Sequence, residues 1–199
     1  MKKKTITGLM LTGILLITFA FKSNKLQSGG NSGIYLTVMD FYNQRLSFAF
    51  DCNSNNGKLT LNEMLGSSSG SIVSNGEKHA FDKTKAYGYR NCDSKIYRFF
   101  GKGEYQILDT SDFYIYYRYE QVEKVKGKGL VKTDEYFFSK NAESPIQLLT
   151  IENLKKAFPD NLPFHYAIDA HFRNDQELIA YDSYFKGYKL KYLYNQSLK

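Results

Sequence analysis

The sequence predicts an α+β fold: an antiparallel sheet, strongly curved or curled into a half-barrel, followed by a C-terminal segment of two to three helices. Residues 33–140 alternate short apolar runs with clusters of Gly, Asn, Asp and Ser, which is typical of strands and turns. Residues 150–198 instead repeat their apolar positions with a helical period. With 42% hydrophobic residues and only 3 Pro, residues 33–199 are expected to form a single globular domain.

The N-terminal residues have the pattern of an export signal. Lys2–Lys4 precede Ile6–Phe21, a stretch that is apolar except for Thr and Gly. A spanning helix needs about 20 apolar residues, so residues 1–21 are predicted to be a signal peptide cleaved near Phe21. Retention of this stretch as a membrane anchor is the alternative. Residues 22–32 are interpreted as a flexible leader.

The charge of the chain argues against nucleic acid as a partner. The formal net charge is +7, but residues 1–21 contribute three lysines and no acid. The remaining 24 basic and 20 acidic residues leave +4. A charge of this size is ordinary for a domain and lacks the dense basic surface that phosphate groups require.

The strands of the predicted sheet follow from local patterns. Leu46, Phe48 and Phe50 alternate with polar or small residues, as on a strand with one buried face. The pair Asn75-Gly76 predicts a type I′ hairpin, since both central residues of that turn need a positive φ. The other predicted strands are Lys58–Leu61, Ser71–Ser74, Lys78–Phe81, Tyr87–Arg90, Lys95–Phe100, Tyr105–Leu108, Phe113–Glu120 and Glu135–Ser139.

Two to three helices are expected after Pro145. Thr150 is suited to cap the first helix, which ends at Pro159. Pro163 is suited to the first turn of the second helix, and the third runs from Asp175 towards the C-terminus. The positions expected to face inward are Ile151, Leu154 and Phe158 in the first, Phe164, Ile168 and Phe172 in the second, and Leu178, Tyr181, Phe185, Tyr188 and Tyr192 in the third.

Three segments carry a resemblance to a known family: LTIENLKKAFPDN, HFRNDQELIAYDS and GIYLTVMDF. In these segments the chain resembles a family of uncharacterised exported proteins of Gram-negative, gliding-type bacteria. The resemblance covers most of the mature chain. It implies export, and it implies no activity, cofactor or site residue.

Cys52 and Cys92 are the two cysteines of the chain, and export would place them in an oxidising compartment. A disulfide between them would stabilise the fold by about 3–4 kcal/mol in the chain-entropy model. Both residues lie in turn-like segments, so they can pair only if these turns lie at the same end of the sheet. Two unpaired thiols are the alternative.

Two segments resemble known sites but lack a required part. In DCNSNNGKLTLNE the glycine and the glutamate of a calcium loop arrive one position late, at Gly57 and Glu63. We interpret this segment as a hairpin turn, with an irregular cation loop as the alternative. Gly66–Gly70 matches the G-x-S-x-G pattern of a hydrolase nucleophile, but a predicted strand follows it where that site needs a helix.

The histidines predict no metal site. His165 and Asp169 lie one turn apart on the second predicted helix, whereas His171 is rotated away from them. Because zinc sites need at least three protein ligands, we interpret His165 and Asp169 as a surface pair and assign no metal and no cofactor.

A lysine-rich turn is predicted at Lys124–Gly129, where Lys alternates with Val and Gly. The segment lacks the Ser or Thr of a phosphate-binding loop. We interpret it as a solvated hairpin tip, with binding to anionic polymers or lipid headgroups as the alternative.

The candidate binding site lies in the most aromatic part of the chain. Eleven of the 33 residues from Tyr87 to Tyr119 are Tyr or Phe. If Phe113 and its alternate neighbours face the core, then Tyr114, Tyr116 and Arg118 form an exposed platform for a sugar, a peptide or a partner protein. The alternative is that this second face is covered and that its tyrosines are ordinary sheet residues.

The sequence therefore favours a non-enzymatic exported protein, periplasmic or envelope-associated, that binds an envelope protein or a glycan. No catalytic residue is assigned, and membrane contact is expected only through residues 6–21 if they are retained. The alternative is an envelope hydrolase, since its Asp and Glu residues need no fixed spacing in sequence. A concave pocket with two carboxyl groups of shifted pKa would favour the hydrolase.

Overall fold

The computed structural model describes residues 30–62, 67–123 and 130–199, and of residues 120–123 and 130–133 it describes only the backbone. Within these residues the predicted α+β class is confirmed. The strands form an eight-stranded antiparallel sheet, a three-stranded sheet and a two-stranded hairpin. The predicted signal and most of the predicted leader lie outside the described residues.

The elements follow one another in a mainly β then mainly helical order. The strands are β1 (Asn31–Tyr35), β2 (Ser47–Asp51), β3 (Lys58–Thr60), β4 (Ser69–Ser74), β5 (Glu77–Asp82), β6 (Gly88–Arg90), β7 (Ile96–Phe100), β8 (Gly103–Asp109), β9 (Tyr114–Glu123), β10 (Leu130–Ser139), β11 (Gln147–Leu148), β12 (Tyr181–Asp182) and β13 (Gly187–Tyr188). The α-helices are α1 (Val38–Tyr42), α2 (Ile151–Ala157), α3 (Leu162–His171) and α4 (Lys189–Gln196), and a 3-10 helix spans Asp175–Ile179. Among the described residues, no helix has the length and apolar character needed to cross a bilayer.

The large sheet has the strand order β11-β10-β9-β8-β7-β6-β1-β2. Its order ends at β11 on one side and at β2 on the other, so the sheet is open and does not close into a barrel. Strong curvature of the sheet stays a prediction. Strands β3, β4 and β5 form the separate three-stranded sheet, and β12 pairs with β13.

Other layers cover both faces of the large sheet. On the face that carries Ile34 and Ile115, which we call the front face, α2–α4 cover one part and β3–β5 cover another. On the opposite face, the back face, α1 and the segment after β10 pack over Tyr35 and Tyr116. Three apolar clusters result, two in front of the sheet and one behind it.

The local signals for the hairpin and the first two helices are confirmed. Asn75 and Gly76 have φ values of 51° and 81°, as a type I′ turn requires. The Thr150 hydroxyl accepts a hydrogen bond from the backbone of Asn153 and caps α2. Helix α3 has a proline in its first turn, as expected, and its inward residues are buried: Phe164, Ile168 and Phe172.

The third predicted helix is wrong over its first half. After the 3-10 helix, the chain forms the β12–β13 hairpin, and α4 begins only at Lys189. The Asp182 carboxylate accepts hydrogen bonds from the backbone N–H groups of Tyr184 and Phe185, at 2.8 and 3.1 Å. This local turn replaces the backbone bonds of a helix, which is why a helical spacing of aromatic residues does not produce one here.

Helix α1 and the start of β1 also differ from the prediction. Strand β1 begins at Asn31, inside the predicted leader. Helix α1 is a single turn with a capping box, in which the Thr37 hydroxyl bonds the backbone of Asp40 and the Asp40 carboxylate bonds the backbone of Thr37. An element of this length has too few residues to display a helical period.

The disulfide between Cys52 and Cys92 is confirmed, with the sulfur atoms 2.12 Å apart. Cys52 follows β2 and Cys92 follows β6, so the two turns do lie at the same end of the large sheet. The bond ties the chain that leads into the three-stranded sheet to the large sheet.

Candidate functional site

The predicted platform of Tyr114, Tyr116 and Arg118 does not form an exposed unit. Tyr114 is 6% exposed and Tyr116 is fully buried, because Phe41 of α1 and Ile146 cover the back face at this point. The predicted exposure is therefore wrong for both tyrosines, and the alternative of a covered face describes them. Arg118 differs from them, since it lines a cavity.

A buried arginine gives Tyr116 a structural role. Arg98 of β7 is 5% exposed and donates hydrogen bonds to the Tyr116 hydroxyl at 3.0 Å and to the Ser144 carbonyl at 2.9 Å. Ser139 adds a third acceptor at 3.3 Å. A buried charge requires such partners, and they attach β7 to the segment after β10. Burial also raises the pKa of Tyr116, which keeps its ring neutral.

On the front face, the strand register aligns one side chain from each of six neighbouring strands. Directly opposed residues of antiparallel strands lie on the same face of a sheet. The register pairs these residues one after another across the sheet. From β1 to β10 this cross-strand row consists of Ile34, Tyr89, Tyr97, Gln106, Tyr117 and Tyr136.

The row forms the floor of a cleft between the two layers that cover the front face. One cavity of about 680 Å³ extends to Lys83, just after β5, and a second of about 490 Å³ extends to the β12–β13 hairpin. Gln106 and Tyr117 line both cavities, so they form one continuous tyrosine cleft. Eight of the 17 tyrosines line it: Tyr89, Tyr97, Tyr105, Tyr117, Tyr119, Tyr136, Tyr181 and Tyr188.

The end of the cleft next to the three-stranded sheet is ionic. Lys83 Nζ lies 3.0 Å from Glu104 Oε1, and the two side chains are 1% and 11% exposed. The Tyr89 hydroxyl donates to the other oxygen of Glu104 at 3.1 Å. Arg118 donates to the Tyr105 hydroxyl at 3.2 Å and lies over its ring. These polar groups are held in place by their partners, so they are organised before any ligand arrives.

The opposite end of the cleft is lined by uncharged side chains. They are Leu108, Tyr136, Ile179, Tyr181 and Tyr188, together with the shared Gln106 and Tyr117. The Tyr117 hydroxyl donates to an Asp134 carboxylate oxygen at 2.7 Å. This hydrogen bond raises the pKa of Tyr117 to about 12, so the ring stays neutral at physiological pH.

The calcium-like segment forms a turn that joins two different sheets. Strand β2 belongs to the large sheet and β3 to the small one, so the interpretation as a hairpin is wrong although the turn itself is present. The Asp51 carboxylate accepts from the backbone N–H of Asn53 at 2.9 Å, as in a local turn. Glu63 and Gly66 lie outside the described residues, and β4 begins inside the serine run.

His165 and Asp169 have separate partners. The His165 Nε2 atom lies 2.8 Å from the Phe158 carbonyl oxygen, and Asp169 accepts a hydrogen bond from Lys155 at 2.6 Å. Within the described parts of the chain, no group of three or more His, Cys, Asp or Glu side chains is placed to hold a metal ion. The lysine-rich segment Lys124–Gly129 lies outside the described residues.

Three described carboxyl groups have a clearly shifted pKa, and in each case the pKa is lowered. Hydrogen bonds from Arg45 and Thr37 lower the pKa of Asp40. A hydrogen bond from Thr84 lowers that of Asp82, and one from Lys156 lowers that of Glu152. These groups are stabilised in their charged form, and none is among the residues that line the two cavities of the cleft.

Sequence reasoning missed the cleft because its residues come from separate strands. It placed Tyr117 and Tyr119 on the same face as Phe113, and it treated that whole face as core. In the structure that face is covered only in part, and Tyr119 is 48% exposed. The signal was the repeated tyrosine at alternate positions of β7 and β9, but the register that aligns Tyr97 with Tyr117 through Gln106 had to be known as well.

Comparison with protein-family models, with curated proteins and with solved structures finds no match to this chain.

Proposed function

We propose that the protein is an exported, non-enzymatic binding protein whose tyrosine cleft binds a glycan. The observation that carries the proposal is the cross-strand row, which places tyrosine rings and one amide side by side on the floor of a cleft. The proposal replaces the platform on the back face with a site on the front face of the same sheet.

The chemistry of the lining suits a sugar. A pyranose ring carries C–H bonds on its faces and hydroxyl groups around its edge, so it needs aromatic surface and hydrogen-bonding groups together. Tyr97 and Tyr136 supply rings, and Gln106 between them supplies a donor and an acceptor. Tyrosine hydroxyl groups add further donors and acceptors around the same surface.

The dimensions of the cleft support a small ligand or a single polymer chain. Ligand sites typically occupy about 300–1,000 Å³, and the two cavities of about 680 and 490 Å³ fall within this range. A stable protein partner would instead bury about 800 Å² on each side, over a broader and flatter surface.

The carboxyl groups support binding in preference to hydrolysis. A hydrolase needs a carboxylic acid that stays protonated near neutral pH, which requires a raised pKa. The described carboxyl groups with shifted values, Asp40, Asp82 and Glu152, have lowered ones and do not line the cleft.

Two features support export. Residues 1–21 have the composition of a signal peptide, with Lys2–Lys4 before an apolar stretch. The Cys52–Cys92 disulfide fits an oxidising compartment such as the periplasm.

Intrinsic tyrosine fluorescence offers a direct test, because the chain has 17 Tyr and no Trp. The oxidised protein is titrated with hexasaccharides of several linkages, including cellohexaose, chitohexaose and maltohexaose. We expect saturable binding of at least one of them. Absence of binding to the whole panel would overturn the proposal.

Two variants locate the site. Tyr119→Ser and Gln106→Ala remove a ring and an amide from the cleft, and each is expected to weaken binding by roughly 3- to 10-fold. Tyr166→Ser is the matched control, because Tyr166 lies on α3 and is 70% exposed outside the cleft. Equal affinities for all three variants and the unaltered protein would place the binding site elsewhere.

A further inference from the structure

The β12–β13 hairpin carries aromatic residues both inside and outside the tyrosine cleft. Tyr181 and Tyr188 are directly opposed in the hairpin, and both line the cleft. The loop between them contains Tyr184 and Phe185, which are 86% and 53% exposed. The hairpin therefore connects the neutral end of the cleft to an exposed aromatic surface.

The exposed rings are organised. Phe185 stacks on Tyr192 of α4 with ring centres 4.6 Å apart and planes 17° apart, and Tyr184 meets Phe185 edge to face at 5.0 Å. The Asp182 carboxylate holds the loop by accepting hydrogen bonds from the backbone of Tyr184 and Phe185. Large apolar side chains are normally covered when the chain can cover them, so an ordered and exposed group of rings indicates a contact surface.

This surface lies close to the cleft. Tyr184 is three residues beyond Tyr181, which at the rise of an extended chain is at most roughly 10 Å. Tyr188 is the N-cap residue of α4, and Tyr192 lies one helical turn after it. Aromatic residues thus continue from the neutral end of the cleft onto Tyr192, Phe185 and Tyr184.

The floor of the cleft is straight, because the cross-strand row runs perpendicular to the strands. Neighbouring strands lie about 4.8 Å apart, so the row from Tyr97 on β7 to Tyr136 on β10 extends over roughly 14 Å. A straight row suits a ligand that is itself straight and that repeats its apolar faces. β-1,4-linked glucose and N-acetylglucosamine chains have these properties, whereas α-1,4-linked glucose chains coil.

We propose that the ligand of the tyrosine cleft is a straight β-1,4-linked glycan chain that leaves the cleft at its neutral end and continues onto the hairpin surface of Tyr184, Phe185 and Tyr192. This inference rests on the proposed glycan-binding function and adds the shape of the ligand and an outer binding surface. The Lys83–Glu104 pair closes the other end of the cleft with buried charges, so the chain has an open path only past the hairpin.

Chain length provides the test. Cello- and chito-oligosaccharides of two to six units are titrated into the oxidised protein, with maltohexaose for comparison. We expect affinity to rise with length, because longer chains reach the hairpin after the cleft is filled. Maltohexaose is expected to bind more weakly than the better of the two straight hexasaccharides.

Variants of the hairpin separate the outer surface from the cleft. Phe185→Ser is expected to weaken binding of the straight hexasaccharide by roughly 3- to 10-fold and to leave the disaccharide unchanged. Tyr184→Ser gives a second reading at the more exposed position, and Tyr166→Ser on α3 is the matched control. Thermal unfolding of each variant checks that it folds, which is expected because these side chains are exposed.

The outcomes distinguish the two proposals. If no oligosaccharide binds, the proposed function fails and this inference fails with it. If oligosaccharides bind in the cleft but affinity does not change with length, or both hairpin variants bind the hexasaccharide normally, the inference fails alone. Equal binding of maltohexaose and the straight chains overturns the proposed shape of the ligand.

Discussion

Adjacent tyrosines of β9 have different roles. Tyr116 points to the back face, where Arg98 and Ser139 bond its hydroxyl and burial raises its pKa. Tyr117 points to the cleft, where a hydrogen bond to Asp134 raises its pKa to about 12. Both rings stay neutral, but only the second is placed to meet a ligand. The alternation of a strand therefore divides one aromatic run into a structural set and a binding set.

Tyr87 provides a test of the back-face core. Its hydroxyl is the buried side-chain oxygen that lacks a hydrogen-bond partner among the described residues, and burial raises its pKa. Removing an unpartnered hydroxyl avoids its desolvation cost, so Tyr87→Phe is expected to raise the free energy of unfolding by about 1 kcal/mol. The measurement is urea unfolding at pH 7.

Tyr116→Phe is the matched control for Tyr87→Phe, since it removes the same atom from a hydroxyl that is fully bonded. It is expected to lower the free energy of unfolding by about 1–3 kcal/mol, because Arg98 and Ser139 would lose a buried partner. Equal effects of the two substitutions would contradict this assignment.

At the scale of elements, α4 is held against the large sheet by a buried lysine. Lys191 donates to the Ser111 carbonyl, lies 3.3 Å from Asp109 and sits 4.0 Å from the ring centre of Phe113. Its side chain is 6% exposed, and burial lowers its pKa to about 8 despite the nearby Asp109 and Asp112. The attachment of α4 therefore includes a charge that the interior disfavours.

This lysine gives the protein a pH-dependent stability. Between about pH 8 and the ordinary lysine pKa of 10.5, the unfolded chain binds more protons at this position than the folded chain. Stability is therefore expected to rise with pH across this window. From pH 7.5 to 9.5 the unaltered protein should gain about 1–2 kcal/mol relative to Lys191→Met, measured by urea unfolding. Parallel pH profiles for the two proteins would contradict the lowered pKa.

At the scale of the whole molecule, the cleft exists because two layers cover the front face without meeting. The small sheet covers one part through Ile72, and the C-terminal helices cover another through Leu154 and Leu190. The Cys52–Cys92 bond ties the chain entering the small sheet to the large one. Together these attachments hold the two walls of the cleft around an uncovered strip of tyrosines.

Intact mass of protein recovered from the cell envelope tests the whole-chain prediction. Export with cleavage is expected to remove residues up to about Phe21 and to leave no acyl chain. Alkylation without prior reduction is expected to add nothing, because both thiols are in the disulfide. A mass that includes Lys2–Lys4 would refute cleavage and indicate a membrane anchor instead.

Much of the fold could be predicted from local patterns, because local physics decides those elements. The Asn75-Gly76 turn, the Thr150 cap and the early proline of α3 each depend on residues that are close in sequence. The stretch from Asp175 shows the limit of such patterns. Its aromatic residues had a helical spacing, but hydrogen bonds to Asp182 and the positive φ of Lys186 produced a turn.

The sequence by itself determined the α+β class, most of the strands, the first two C-terminal helices and the concentration of tyrosine in the middle of the chain. Only the tertiary structure decided which tyrosines are buried and which line a cleft. Tyr114 and Tyr116 are covered by α1 and the segment after β10, whereas Tyr97 and Tyr117 are aligned by strand register between two layers. The physical reason is that periodicity assigns a side chain to a face, but register and the packing of distant segments determine what that face meets.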